Sequence, residues 1–136
     1  MPEQKNHSIT KRAAAFLQPA APLLPVDTED SQLTLALKKY LKTKDIHQIW
    51  EAYRFGDAAH AGQTRKSGEP YITHPVSVAL ILAGLHLDTP TIIAALLHDV
   101  VEDTGITKQE VSDKFGSQVA ELVDGLSKLD KIEFQS

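Results

Sequence analysis

A chain of 136 residues is long enough to bury a core and too short for more than one ordinary domain. Its 42% hydrophobic and 24% charged residues are those of a globular protein, and a formal charge of −4 gives no general attraction to nucleic acid. The absence of cysteine excludes disulfides and thiolate metal sites. No run approaches the roughly 18 apolar residues of a membrane span. Residues 13–17, which follow Lys11-Arg12, are the one leader-like stretch, and Gln18, Pro19, Pro22 and Pro25 break it with no convincing cleavage site after it. A cytoplasmic protein with neither membrane nor direct nucleic-acid partners is expected.

Residues 1–29 are rich in Pro, Ala and Gln without a sustained period and read as a flexible N-terminal tail. Helical patterning begins near Asp30-Ser31, both good capping residues, and Leu33, Leu35, Leu37 and Leu41 form an imperfect apolar stripe. A second helix is expected from Asp45 to about His60, with Ile46, Ile49, Trp50, Tyr53 and Phe55 inward and Gly56 weakening its continuity. A polar loop follows, Gly62-Gln63-Thr64-Arg65-Lys66-Ser67-Gly68-Glu69-Pro70.

Tyr71-Ile72-Thr73-His74-Pro75 leads into a third helix, with Thr73 or His74 near its cap and Pro75 in its first turn. Residues 76–87 are apolar on nearly every face, which predicts a buried helix. Asp88-Thr89-Pro90 repeats the pattern of cap then proline and launches a central helix over about 90–103, which Gly105 ends. Thr107-Lys108-Gln109-Glu110 matches a capping box for a short helix to Phe115. Gly116 closes that helix, and Ser117 caps a last one through Val119, Leu122, Val123 and Leu126, with Gly125 weakening its end. No strand-period segment is evident, so the fold class is all-α with short connections.

The end of the central helix concentrates chemistry. His98 and Glu102 lie four apart, as do Asp99 and Asp103, giving two stacked pairs on one side of the last turns. An apolar helix that delivers this much charge to one place needs a cation, a substrate or open water to receive it. His74, at the start of the preceding helix, can converge on His98-Asp99 if the two helices run antiparallel. Imidazole and carboxylate together suit Mn, Fe or Zn rather than Ca. Glu102 and Asp103, one turn on, could orient or deprotonate the attacking water. The alternative is a satisfied core histidine with acids on a solvated helix end, and spacing alone leaves both open. Arg65 and Lys66 could meet a phosphate or a base, or could simply be solvated. His7, His47, His60 and His86 carry no partner pattern and read as structural or surface residues. With no P-loop and no serine or cysteine nucleophile motif, hydrolysis by water at a metal is favoured over covalent catalysis.

Three stretches carry a resemblance. They are Ala59-His60-Ala61-Gly62-Gln63-Thr64-Arg65-Lys66-Ser67-Gly68-Glu69-Pro70-Tyr71-Ile72-Thr73-His74-Pro75, then His98-Asp99-Val100-Val101-Glu102-Asp103-Thr104, then Val123-Asp124-Gly125-Leu126-Ser127-Lys128-Leu129. In this order and spacing, from about residue 45 onward, the chain resembles the HD superfamily of metal-dependent phosphohydrolases. More narrowly it is similar to the N-terminal hydrolase domain of the long bacterial RelA/SpoT enzymes of the stringent response. The resemblance implies an HD-type helical bundle over residues 30–136, the N-terminal part of such a domain. It also implies one Mn²⁺ and removal of the 3′-pyrophosphate of the alarmones ppGpp and pppGpp to leave GDP or GTP.

Carried over by position, His74, His98 and Asp99 match metal ligands, Glu102 and Asp103 the acids that activate water, and Arg65, Lys66 and Ser67 the loop beside the guanine nucleotide. The family's fourth ligand is an aspartate in a later helix, expected outside this chain together with the synthetase and regulatory domains. Ser127 stands where the family usually has threonine, which keeps the hydroxyl. Two other functions are compatible with these residues. One is a phosphohydrolase of the HD type acting on another nucleotide, and the other is a catalytically silent helical module that regulates a neighbouring synthetase.

Overall fold

The structure is a computed structural model that describes residues 31–64 and 68–135, with residues 130–135 described by backbone only. The expected tail and the loop residues Arg65, Lys66 and Ser67 lie outside the described residues. The helices in chain order are α1 (Gln32–Lys38), α2 (Thr43–Ala59), α3 (Thr73–Gly84), α4 (Thr89–Leu97), α5 (Val100–Asp103), α6 (Lys108–Phe115) and α7 (Ser117–Gln135). Among the described residues there is no strand, and Thr64 and Pro70 make one isolated antiparallel bridge across the α2–α3 loop. The all-α expectation holds. No helix among them is long and apolar enough to cross a membrane.

Local chemistry sets where the helices start. The Ser31 hydroxyl accepts from the Thr34 amide at 3.0 Å, and Asp88 Oδ1 accepts from the Thr91 amide at 3.1 Å with Pro90 in the first turn. At α6 the capping box closes in both directions: the Glu110 amide donates to Thr107 Oγ1 at 3.1 Å, and the Thr107 amide to Glu110 Oε1 at 2.8 Å. The end of α3 is tied off by a Schellman pair, with the His86 amide on the Ala83 carbonyl and the Leu87 amide on the Leu82 carbonyl. This turn puts His86 at φ 59, a position usually given to glycine, and its ring stacks on Tyr40 with centroids 4.4 Å apart.

Helix α4 is the axis of the core. Ile92, Ile93, Ala94, Ala95, Leu96 and Leu97 are all buried, and the helix packs against α2, α3 and α7. Its contact with α2 is close because Gly56 faces it: a Cβ there would lie 3.3 Å from the Leu96 carbonyl oxygen. The sequence marks Gly56 as a weakness in α2, yet the helix runs unbroken through it, since the missing side chain makes room for the neighbouring backbone. Gly125 likewise sits inside α7, which continues to Gln135, and Ser117 is that helix's first residue rather than its cap.

Two expectations need correction. Helix α3 is not buried all round. Val76, Ala79 and Ala83 face the core, whereas Ile81 is 65% and Leu85, just past its end, 66% exposed, because α1 and α4 cover only one side. The expected single helix over 90–103 is also interrupted. Helix α4 stops at Leu97, His98 and Asp99 form a turn, and α5 resumes at Val100. The His98 ring supplies a physical reason: its Nδ1 lies 2.8 Å from the Ala95 carbonyl, while the His98 amide is 3.5 Å from the same oxygen. A side chain that takes a helix carbonyl competes with the backbone ladder.

Candidate active site

The turn between α4 and α5 and the entry of α3 meet at one point. His74 is the second residue of α3, placed there by a tight approach in which the Thr73 and His74 amides donate to the Pro70 and Tyr71 carbonyls, both at 3.1 Å. The His74 and His98 rings meet edge to face with centroids 5.4 Å apart. One nitrogen each from His74 and His98 and one carboxylate oxygen of Asp99 all lie within 4.8 Å of one another. His98 and Asp99 are buried, 3% and 8% exposed, and His74 is half-buried.

The hydrogen bonds of His98 fix what it can offer. A carbonyl oxygen only accepts, so the bond to Ala95 requires the proton on Nδ1, which leaves the lone pair on Nε2. That nitrogen faces Asp99 Oδ2 at 3.3 Å. In the neutral ring two lone pairs therefore oppose each other at the rim of a buried cluster, an arrangement a cation between them relieves. Donation of the second ring nitrogen to a backbone carbonyl is also the usual support of a metal-binding histidine. The donor set of two imidazoles and one carboxylate fits a borderline divalent ion.

The acids beyond the turn part company. Tyr71 donates its hydroxyl to Asp99 Oδ2 at 2.5 Å, and the Tyr71 hydroxyl oxygen lies 3.3 Å from Asp103 Oδ2, so Asp99 and Asp103 share one phenol. Burial, then the bond to Asp99 and the charges of both acids, push the Tyr71 pKa far above its usual 10, and the phenol stays protonated as a donor. Glu102 is exposed and lines a small recess toward α6 and α7 together with Lys108, Asp124 and Ser127. Of the two stacked pairs expected from spacing, Asp99 and Asp103 meet through Tyr71.

One residue was passed over. His60, read from sequence as structural or surface, is 3% exposed and borders the cluster. Its ring lies against Tyr71 with centroids 4.4 Å apart, and its Nδ1 is 3.1 Å from Gln63 Oε1. Burial holds its pKa below the usual 6.5, against the opposing pull of Gln63, Asp99 and Asp103. The available signal was its place three residues before Gln63 in a stretch that returns to His74, though a lone histidine near a helix end carries no periodicity to read.

A sequence profile of the HD domain matches residues 52–136. The chain is 54% identical over 103 residues to the bifunctional (p)ppGpp synthase/hydrolase SpoT of Escherichia coli K12, covering 76% of this chain and 15% of that protein. It is 62% identical over 78 residues to a guanosine-3′,5′-bis(diphosphate) 3′-pyrophosphohydrolase of Haemophilus influenzae, covering 57% of this chain and 12% of that protein. It is 43% identical over 129 residues to a GTP pyrophosphokinase of Streptomyces coelicolor, covering 95% of this chain and 15% of that protein. The chain thus spans about 15% or less of the length of these relatives. With the profile covering more than half of the chain, and the relatives aligned over the same region, this protein belongs to the HD-domain family.

Proposed function

We propose that this chain carries a metal-dependent 3′-pyrophosphohydrolase site for ppGpp and pppGpp, of the kind that several relatives are named for. The observation that carries the reading is the convergence of His74, His98 and Asp99, with the His98 proton committed to Ala95 and its lone pair turned toward Asp99. His74, His98 and Asp99 would hold the ion, for which Mn²⁺ is the choice the family resemblance suggests. When bound, such an ion supplies positive charge to the scissile phosphate and lowers the pKa of the attacking water.

The chain's own residues do the rest. Asp103, steadied by Tyr71 beside Asp99, takes a proton from the attacking water, with Glu102 on the same short helix as the second acid. Arg65, Lys66 and Ser67 bind the guanine nucleotide. The water oxygen adds to the phosphorus next to the ribose, the bond from that phosphorus to the ribose 3′ oxygen breaks, the 3′ oxygen takes up a proton, and pyrophosphate leaves GDP or GTP behind.

Product analysis tests the substrate. Incubation with Mn²⁺ and either ppGpp or dGTP is expected to yield GDP and pyrophosphate from the first and no turnover of the second. Turnover of dGTP alone would assign the site to another nucleotide. A second reading is favoured by the relatives named GTP pyrophosphokinase, a name for transfer of a pyrophosphoryl group rather than for its hydrolytic removal. In that reading the region is a silent helical module, and failure to cleave either nucleotide with Mn²⁺ bound would support it.

A further inference from the structure

The loop that brings His74 to the site also carries three side chains wrapped around the acids, and their bonds determine one another. The Asp103 carbonyl accepts from Gln63 at 3.0 Å, so the Gln63 atom there is the amide nitrogen. Its Oε1 is then the atom 3.1 Å from His60 Nδ1, and an amide oxygen only accepts, so the His60 proton sits on Nδ1. His60 Nε2 keeps the lone pair, is buried, and has no hydrogen-bond partner among the described residues. The ring with this fixed tautomer lies against Tyr71, 4.4 Å between centroids and tilted by 32°, and Tyr71 reaches both Asp99 and Asp103. Gly62, at φ 84, makes the turn that lets His60 and Gln63 close this ring of contacts. Gln63 also satisfies one of the last carbonyls of α5, which a four-residue helix leaves without partners of its own.

We propose that His60, Gln63 and Tyr71 form a positioning brace for the two aspartates, with Tyr71 as the donor they share, His60 as the plate that orients the phenol, and Gln63 as the tie that fixes the Asp103 backbone. The inference rests on the reading of Asp99 as a metal ligand and Asp103 as the base, and it assigns to the α2–α3 loop the task of setting their separation. None of the three touches the reacting atoms. Without Tyr71, Asp99 and Asp103 lose the donor they share and, as neighbouring carboxylates, repel one another. Asp99 would then be held less firmly for the ion. Loss of supporting partners around a metal site commonly costs about 10–100-fold in affinity.

The brace can be tested without metal and with it. In chelator, nitrogen-15 spectra of the imidazoles are expected to show His60 as a single Nδ1–H tautomer in the wild type and a changed mixture in Gln63→Leu. The side-chain carboxyl carbon-13 resonances of both Asp99 and Asp103 are expected to move in Tyr71→Phe. An unchanged His60 tautomer in Gln63→Leu, or a shift of only one carboxyl in Tyr71→Phe, would overturn the brace. With Mn²⁺ as the probe, Tyr71→Phe should weaken binding about tenfold or more while circular dichroism stays that of the wild type. A dissociation constant within about twofold of the wild type would also overturn it. Should the wild type bind no Mn²⁺, the metal reading fails, and the tautomer and carboxyl spectra decide the brace by themselves.

Discussion

His98 Nε2 faces Asp99 Oδ2 at 3.3 Å while His98 Nδ1 donates to the Ala95 carbonyl, so adjacent residues present two electron-rich atoms to one buried point. A ligand that binds only the folded chain stabilises it by RT ln(1 + [L]/Kd), about 2.7 kcal/mol at a hundredfold excess over the dissociation constant. Mn²⁺ is therefore expected to raise the melting temperature of the wild type and to leave that of Asp99→Ala unchanged. Thermal unfolding with and without Mn²⁺ reads this directly, and equal shifts in both proteins would remove Asp99 from the site.

Asp103 is joined to the cluster through Tyr71, whose hydroxyl also reaches Asp99. Replacing its carboxylate by an amide keeps the shape and removes the proposed base. Asp103→Asn should lower kcat for pyrophosphate release by about 10²–10⁴-fold with Mn²⁺ affinity reduced far less. A variant as active as the wild type would mean that another group takes the proton.

His60 gives the fold a pH dependence in chelator. Its folded pKa is lowered by burial, so between that value and the unfolded value of about 6.5 the unfolded chain binds more protons. The stability this group contributes is present above about pH 6.5 and is lost as pH falls through the folded pKa. Urea unfolding across this range should show a decline that is shallower in His60→Phe, which keeps a ring against Tyr71 and cannot titrate. Parallel profiles for the two proteins would contradict the assignment.

Gly56 sets how closely α2 approaches α4, with 3.3 Å from an added Cβ to the Leu96 carbonyl oxygen. Gly56→Ala asks that carbonyl to give by a few tenths of an ångström and gains helix propensity, so the two effects oppose each other. Gly56→Val adds branched bulk at the same point and should destabilise by about 1–3 kcal/mol. Chemical denaturation checks both, and a Gly56→Val protein as stable as the wild type would mean that Gly56 does not set the spacing of α2 and α4.

Capping and proline signals were legible because they act within four residues. Ser31, Asp88 and the Thr107–Glu110 box start their helices where their side chains imply. The convergence of His74 on His98-Asp99 followed from helix order and short connections. What the linear pattern could not carry was set by tertiary partners. The break at His98 comes from a ring taking the Ala95 carbonyl, the continuity of α2 from the backbone of α4 lying over Gly56, and the exposure of Ile81 from a face that α1 and α4 leave uncovered. His60 escaped notice for the same reason, since its importance lies in touching Tyr71, eleven positions away and across a loop.

The measurement closest to the central claim is the rate of pyrophosphate release from ppGpp as free Mn²⁺ is varied, in a wild-type protein that carries this chain together with the later helix of the fourth ligand, and in its Asp99→Ala variant. The account predicts release that rises with Mn²⁺ to saturation, stops in chelator, and is absent from Asp99→Ala at every Mn²⁺ concentration. Release that persists in chelator, or that Asp99→Ala retains, would contradict it.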